Sequence, residues 1–173
     1  MQPHAPGLRD RLWYGGASLR SAVWAGENGM NLLTSSVVKA ESDSVDFAAI
    51  QAGQIAAFQE AHPAGAAARA SQGLVVIPTD SATPAQRERY AAYVEARTPR
   101  TREPQGPARL LFARDLLGTS EQIAEALYAD AAFRQVREVV FALPFSFAAE
   151  DHVQILTDMA ERLGPALGWT PTS

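Results

Sequence analysis

Gly15-Gly16-Ala17-Ser18, with Ser21 three positions further on, combine the residue types best suited to meeting a ligand. They stand between a short aromatic, strand-like run, Leu12 to Gly16, and the helix-forming segment LRSAVWAGENG. A strand that feeds a helix through two glycines brings backbone N–H groups to the positive end of the helix dipole. Glycine lets a ligand approach the main chain closely, and serine hydroxyls add donors, so the turn suits a phosphate-sized anion. The same residues also suit a plainer role, in which the glycines make the turn and Ser18 caps the helix. The pattern is not GxGxxG, and a Walker-type lysine is missing. No acidic residue stands at the spacing of a ribose-binding site.

The other reactive types are scattered. His4, His62 and His152 fall in a tail, at a helix end and on a helix. None has a second ligand at metal spacing, so no metal site is expected. Asp151 beside His152 has the types of an acid–base pair, but neighbours on a helix point apart, and a solvated face is the simpler reading. Thr34, Ser35 and Ser36 end an apolar run and can line a pocket or cap a turn. Phe145 and Phe147 can floor a cavity or pack under the final helix. Arg87 and Arg89 read as a solvated helix face. Arg114-Asp115 reads as a local ion pair, or as an arginine facing a ligand phosphate.

The elements that must position these residues follow from period and punctuation. Leu12 to Gly16 predicts a strand, and Ser18 an N-cap for a helix that stops near Gly29. MNLLTSS predicts a second strand. The segment from Asp46 to His62 predicts a helix with Phe47, Ile50, Ile55 and Phe58 on its apolar side, ended by Pro63. GLVVIP is the clearest strand. Pro84 after Thr83 opens a helix reaching about Arg97. Residues 98–109, with three prolines and a glycine, read as a loop. Thr119 and Gln122 have capping-box spacing before IAEALYADAAF. EVVFALPF predicts the last strand, and Ala149 to Leu163 a helix with Val153, Leu156, Ala160 and Leu163 on one stripe. Strands alternating with helices predict an α/β fold with a parallel sheet, either a small open sheet or half of an eight-stranded barrel.

The bulk numbers fit this. The 173 residues suit one domain, 1–173, with residues 1–10 as an N-terminal tail. A net charge of -4 and the lack of basic runs with interleaved aromatics argue against nucleic acid. With no cysteine, disulfides and thiol chemistry are excluded, and a cytoplasmic setting is compatible. No apolar run approaches a membrane span, and the first residues lack the pattern of a signal peptide.

The segment from Trp13 to Leu33, W-Y-G-G-A-S-x-x-S-A-x-W-A-x-x-x-G-M-N-L-L, resembles the region around the fifth strand of luciferase-like flavin-dependent monooxygenases and oxidoreductases. ASQGLVVIPTDSATPAQRERY, LLGTSEQIAEAL and FSFAAEDHVQILTDMAERLGPALGW continue the resemblance in order. The resemblance implies a (β/α) half-barrel, strands five to eight of a TIM barrel. It also implies FMN, or F420 in some branches, as cofactor, and a small organic substrate. By the same resemblance Gly16, Ala17, Ser18 and Ser21 surround the flavin phosphate, and no catalytic acid or base is assigned to this chain. Strands one to four are missing from the match. The expected partner is therefore a second copy or a polypeptide supplying them. The alternative is a non-catalytic half-barrel with a binding or structural role.

Overall fold

The apolar run ending at Pro78 forms the middle of a five-stranded parallel sheet. The computed structural model describes residues 6–41 and 43–169. In chain order these form β1 (Trp13–Gly16), α1 (Leu19–Glu27), β2 (Asn31–Thr34), β3 (Val37–Lys39), α2 (Phe47–Ala61), β4 (Ala70–Pro78) and α3 (Pro84–Arg97). There follow β5 (Leu110–Phe112), β6 (Leu116–Gly118), α4 (Ser120–Ala129), β7 (Glu138–Ala142), α5 (Ala149–Asp158) and α6 (Gly164–Ala166).

Ser71 of β4 is paired with Leu33 of β2 and with Glu138 of β7, so β4 lies between those strands. Its last residues, Val76 to Pro78, pair with β6. Among the described residues β1 pairs only with β2, and β7 only with β4. The fold is thus mixed α/β with a parallel sheet, as the alternation predicts.

Alternation along β4 sends its side chains to two different layers. Ala70 joins Leu32, Ile55 and Phe58 beneath α1 and α2. Leu74 and Val76 pack against Ile123 and Leu127 of α4. Val75 and Ile77 face the other way, against Tyr90 of α3 and Ile155 of α5. A continuous apolar, β-branched strand is what such two-sided burial requires. Ile55 and Phe58 are completely buried, each worth about 1.5–3 kcal/mol of transfer energy.

The helix signals map closely. α3 starts with a Thr83–Gln86 capping box and Pro84 in its first turn. α4 starts with the Thr119–Gln122 box, and Asp46 caps α2. Gly29 takes a positive φ of 61° just after α1.

Other expectations shift. The clearest strand begins at Ala70 rather than Gly73, and the last strand stops at Ala142. The loop 98–109 opens with a 3-10 turn, Thr98–Thr101, and leads into β5, which pairs antiparallel with β3. β3, β5 and β6 have three residues each, too short to show a period. In the tail 1–10, residues 1–5 lie outside the described residues, and a 3-10 turn covers Arg9–Arg11.

The stripe expected on the last helix is overturned. Val153 and Leu156 are exposed, and the buried positions of α5 are Asp151, Ile155 and Asp158. A π turn over Met159–Leu163 then rotates the chain, so that Leu163 is buried on a different register. Among the described residues no helix is long and apolar enough to cross a membrane.

Candidate functional site

The register of β1 and β2 sets Gly15 beside Leu33 and Gly16 beside Thr34, at the carboxyl ends of both strands. Here a cleft of about 410 Å3 opens, bounded by Gly15 to Ala17, Leu33 to Ser36, Gly73, Val140 and Ala142. The carboxyl edge of a parallel α/β sheet is where such folds place ligands.

The two glycines differ in purpose. A Cβ on Gly16 would lie 3.0 Å from Ser21 Oγ and 3.2 Å from Leu32 Cδ1, so this glycine serves packing. A Cβ on Gly15 would meet nothing within 4 Å, so its bare backbone faces open cleft. Gly73 is forced by close approach, since a Cβ there would sit 2.7 Å from the Thr34 carbonyl oxygen.

Ser18 and Ser21 form a reciprocal capping box. The Ser18 hydroxyl accepts from the Ser21 N–H at 3.2 Å and donates to Ser21 Oγ at 2.9 Å. Ser21 Oγ accepts from the Ser18 N–H at 3.1 Å and donates to the Ser18 carbonyl at 2.8 Å. Both hydroxyl protons are therefore engaged within the cap. The Ala17 carbonyl accepts from the Lys39 N–H and from Gln54 Nε2, which fixes the turn against β3 and α2.

The first helical N–H, that of Leu19, donates to Glu41 Oε2 at 2.7 Å. A carboxylate thus sits where the helix dipole favours negative charge. Nothing in the sequence signals this contact, because Glu41 is brought over by the β3 segment.

Thr34 is buried and donates to the Ser71 carbonyl at 3.1 Å. Ser35 is spent on a local turn, donating to the Val37 carbonyl and accepting from its N–H. Ser71 lies two residues before Gly73, on the same sheet face. Its hydroxyl is buried with no hydrogen-bond partner among the described residues. Toward the amino ends, Arg69 stacks 5.0 Å over Trp13 and pairs with Glu138 at 2.7 Å.

The remaining candidates fall elsewhere. Asp151 is buried and accepts from Arg89, Gln86 and Tyr90 of α3, so Arg89 is not merely a solvated residue. The Arg89 hydrogen bonds hold the Asp151 carboxyl below its usual range, against the opposing effect of burial. Burial, followed by the charge of Asp151, pushes the Tyr90 phenol well up. His152 points away from Asp151, its Nε2 2.9 Å from the Pro144 carbonyl.

Asp115 pairs with Arg97 rather than with its neighbour Arg114. Phe147 stacks on Tyr90 at 4.8 Å, whereas Phe145 is fully exposed. His4 lies outside the described residues. Among the described residues no group of three or more His, Cys, Asp or Glu is placed to hold a metal ion.

No protein-family model matches the chain, and no curated protein matches it significantly. Its fold is similar to that of the crystal structure of apo-MsnO8, with a TM-score of 0.64 and 18% sequence identity. The likeness covers 99% of this chain and 54% of that one, so this chain spans about half the length of that protein. At this identity the likeness shows a shared fold.

Proposed function

We propose that this chain is the phosphate-binding half of a luciferase-like flavin-dependent oxidoreductase. In this reading it holds FMN, or F420 in its place, at the turn between β1 and α1. The observation that carries the reading is the cleft at the carboxyl edge of the sheet. It combines bare backbone at Gly15 with a helix N-terminus whose first N–H already donates to a carboxylate oxygen.

The residues present fit a phosphate. Gly15, Gly16 and Ala17 carry the main chain past the cleft, and the Ser18–Ser21 capping box holds the start of α1 rigid beside it. The buried, unpartnered Ser71 hydroxyl lies on the same sheet face. The flavin would supply the redox chemistry, and the protein's part is to bind it, orient it and exclude water.

β1, β2, β4 and β7 then correspond to strands five to eight of a (β/α)8 barrel. Support for this comes from their parallel order and from a fold shared over about half of a longer chain. The small organic substrate would meet the flavin above the same edge.

The second reading, a binding subunit without turnover of its own, is favoured by one observation. Gly15 to Ala17, Leu33 to Ser36, Gly73, Val140 and Ala142, the residues bounding the cleft, include no titratable side chain. Titrating the purified chain with FMN and with F420, followed by an assay of reduced-cofactor oxidation, tests both. Saturable binding without turnover is the expected result. Failure to bind either flavin contradicts the proposal, and robust turnover contradicts the second reading.

A further inference from the structure

Gly73 and Leu74 are neighbours on β4, so they face opposite sides of the sheet. The Gly73 side lines the cleft described above, and the Leu74 side lines a separate cavity of about 300 Å3. That volume stands at the low end of the range that small ligands occupy. Phe47 of α2, Leu74, Phe112 of β5 and Leu127 of α4 give the cavity apolar walls. Three charged residues also line it: Asp46, Arg114 and Asp130.

Opposite charges share this cavity without meeting. Arg114 is exposed and makes no hydrogen bond or ion pair among the described residues, while its neighbour Asp115 is taken by Arg97. Asp46 Oδ1 accepts from the Ala49 N–H at the start of α2. Asp130 Oδ1 accepts from the N–H groups of Ala132 and Phe133 and from Gln72 Nε2. On both carboxylates the second oxygen, Oδ2, has no hydrogen bond among the described residues. Gln72 Oε1, buried beside Asp130, is likewise without a partner among them. Arg100 stacks 4.3 Å over the Phe112 ring, so Arg100 and Arg114 balance Asp46 and Asp130 around the cavity.

We infer that this cavity binds a free α-amino acid with an apolar side chain. Such a molecule carries both signs of charge at one end and hydrocarbon at the other. Its carboxylate pairs with the Arg114 guanidinium, whose planar fork suits two oxygens. Its ammonium donates to the open oxygens of Asp46 and Asp130, and its side chain lies against the apolar walls. A lone anion would face two carboxylates, and a lone cation would leave the arginine unpaired. A zwitterion answers both. The inference rests on the cavity on the Leu74 side and is independent of flavin binding.

Isothermal titration of the full chain with L-leucine reads the binding directly, and saturable heat is expected. Isocaproate is leucine without its amino group, and isoamylamine is leucine without its carboxylate. Each should bind about tenfold more weakly or worse, having lost its charge-assisted contacts. Arg114→Gln should weaken leucine binding about tenfold or more, with the melting temperature unchanged because the arginine is exposed. Ala126→Phe, at a lining position that is also exposed, should abolish binding by filling the cavity. No saturable binding of L-leucine or L-phenylalanine at millimolar concentration overturns the inference. So does equal affinity for either single-charge analogue. Binding that survives Ala126→Phe unchanged places the amino acid elsewhere and overturns this cavity as its site.

Discussion

The Leu19 backbone N–H and the Glu41 carboxylate, 22 positions apart in sequence, meet at 2.7 Å at the start of α1. This contact places an anion from the protein itself at the N-terminus of α1. The N-terminus of α1 is thereby stabilised, and the same contact competes with any phosphate that uses the same amide.

Glu41→Gln removes the competing charge. Affinity for FMN should rise severalfold, while the helix loses about 0.3–1 kcal/mol of charge–dipole stabilisation. Flavin titration and thermal melting of the same sample read both effects. An affinity that stays the same or falls would mean that Glu41 does not share the anion position.

Gly15→Val separates binding from folding. The new side chain enters open cleft, and valine suits an extended strand, so the melting temperature should hold. Flavin affinity should drop by at least an order of magnitude, because the side chain fills the approach to the backbone. Gly26→Ala is the control of opposite character. Its Cβ would lie 2.6 Å from the Phe58 carbonyl oxygen, where α1 crosses α2, and overpacking should cost about 1–3 kcal/mol. Melting curves of the two variants should diverge in this order.

Ser18→Ala breaks the capping box and should cost about 0.5–2 kcal/mol of stability. The double variant with Ser21→Ala should cost little more, since the two hydroxyls serve one cap. Flavin binding should weaken in both, because an unravelled first turn no longer holds its amides in place. Denaturant unfolding together with titration checks this. Strictly additive losses in stability would show two independent roles.

Asp151 predicts a pH response. Arg89 holds its carboxyl below the ordinary value, so the folded protein takes up this proton less readily than the unfolded chain. The resulting stabilisation is full above the unfolded carboxylate pKa and is lost as pH falls below about 4, through the lower folded value. Asp151→Asn should destabilise the protein at neutral pH by about 1.5–3 kcal/mol, and should flatten the acid limb of the melting temperature against pH. An acid limb unchanged by the substitution would assign it to other carboxylates.

The fold was legible where local rules decide. The capping boxes at Thr83 and Thr119 and the β-branched run through Ile77 predict α3, α4 and the middle strand. The β3–β5 pair was not legible, since three-residue strands formed by long-range pairing leave no periodic trace. Nor was the burial of Asp151, a charge tolerated inside only because α3 supplies Arg89, Gln86 and Tyr90. In the candidate site, the Gly15–Ser21 turn could be read from residue types. Gly73 and Val140 could not, because only the sheet register brings them there, and Glu41 could not, because the segment after β3 carries it to the start of α1.

The most direct test of the account compares FMN with riboflavin, which lacks the phosphate, in parallel equilibrium titrations of the purified chain. FMN should bind saturably and riboflavin at least tenfold more weakly, as expected when charge-assisted contacts worth about 1.5–3 kcal/mol are lost. Equal affinity for the two, or no binding of either, would contradict a phosphate site at the Gly15–Ser21 turn.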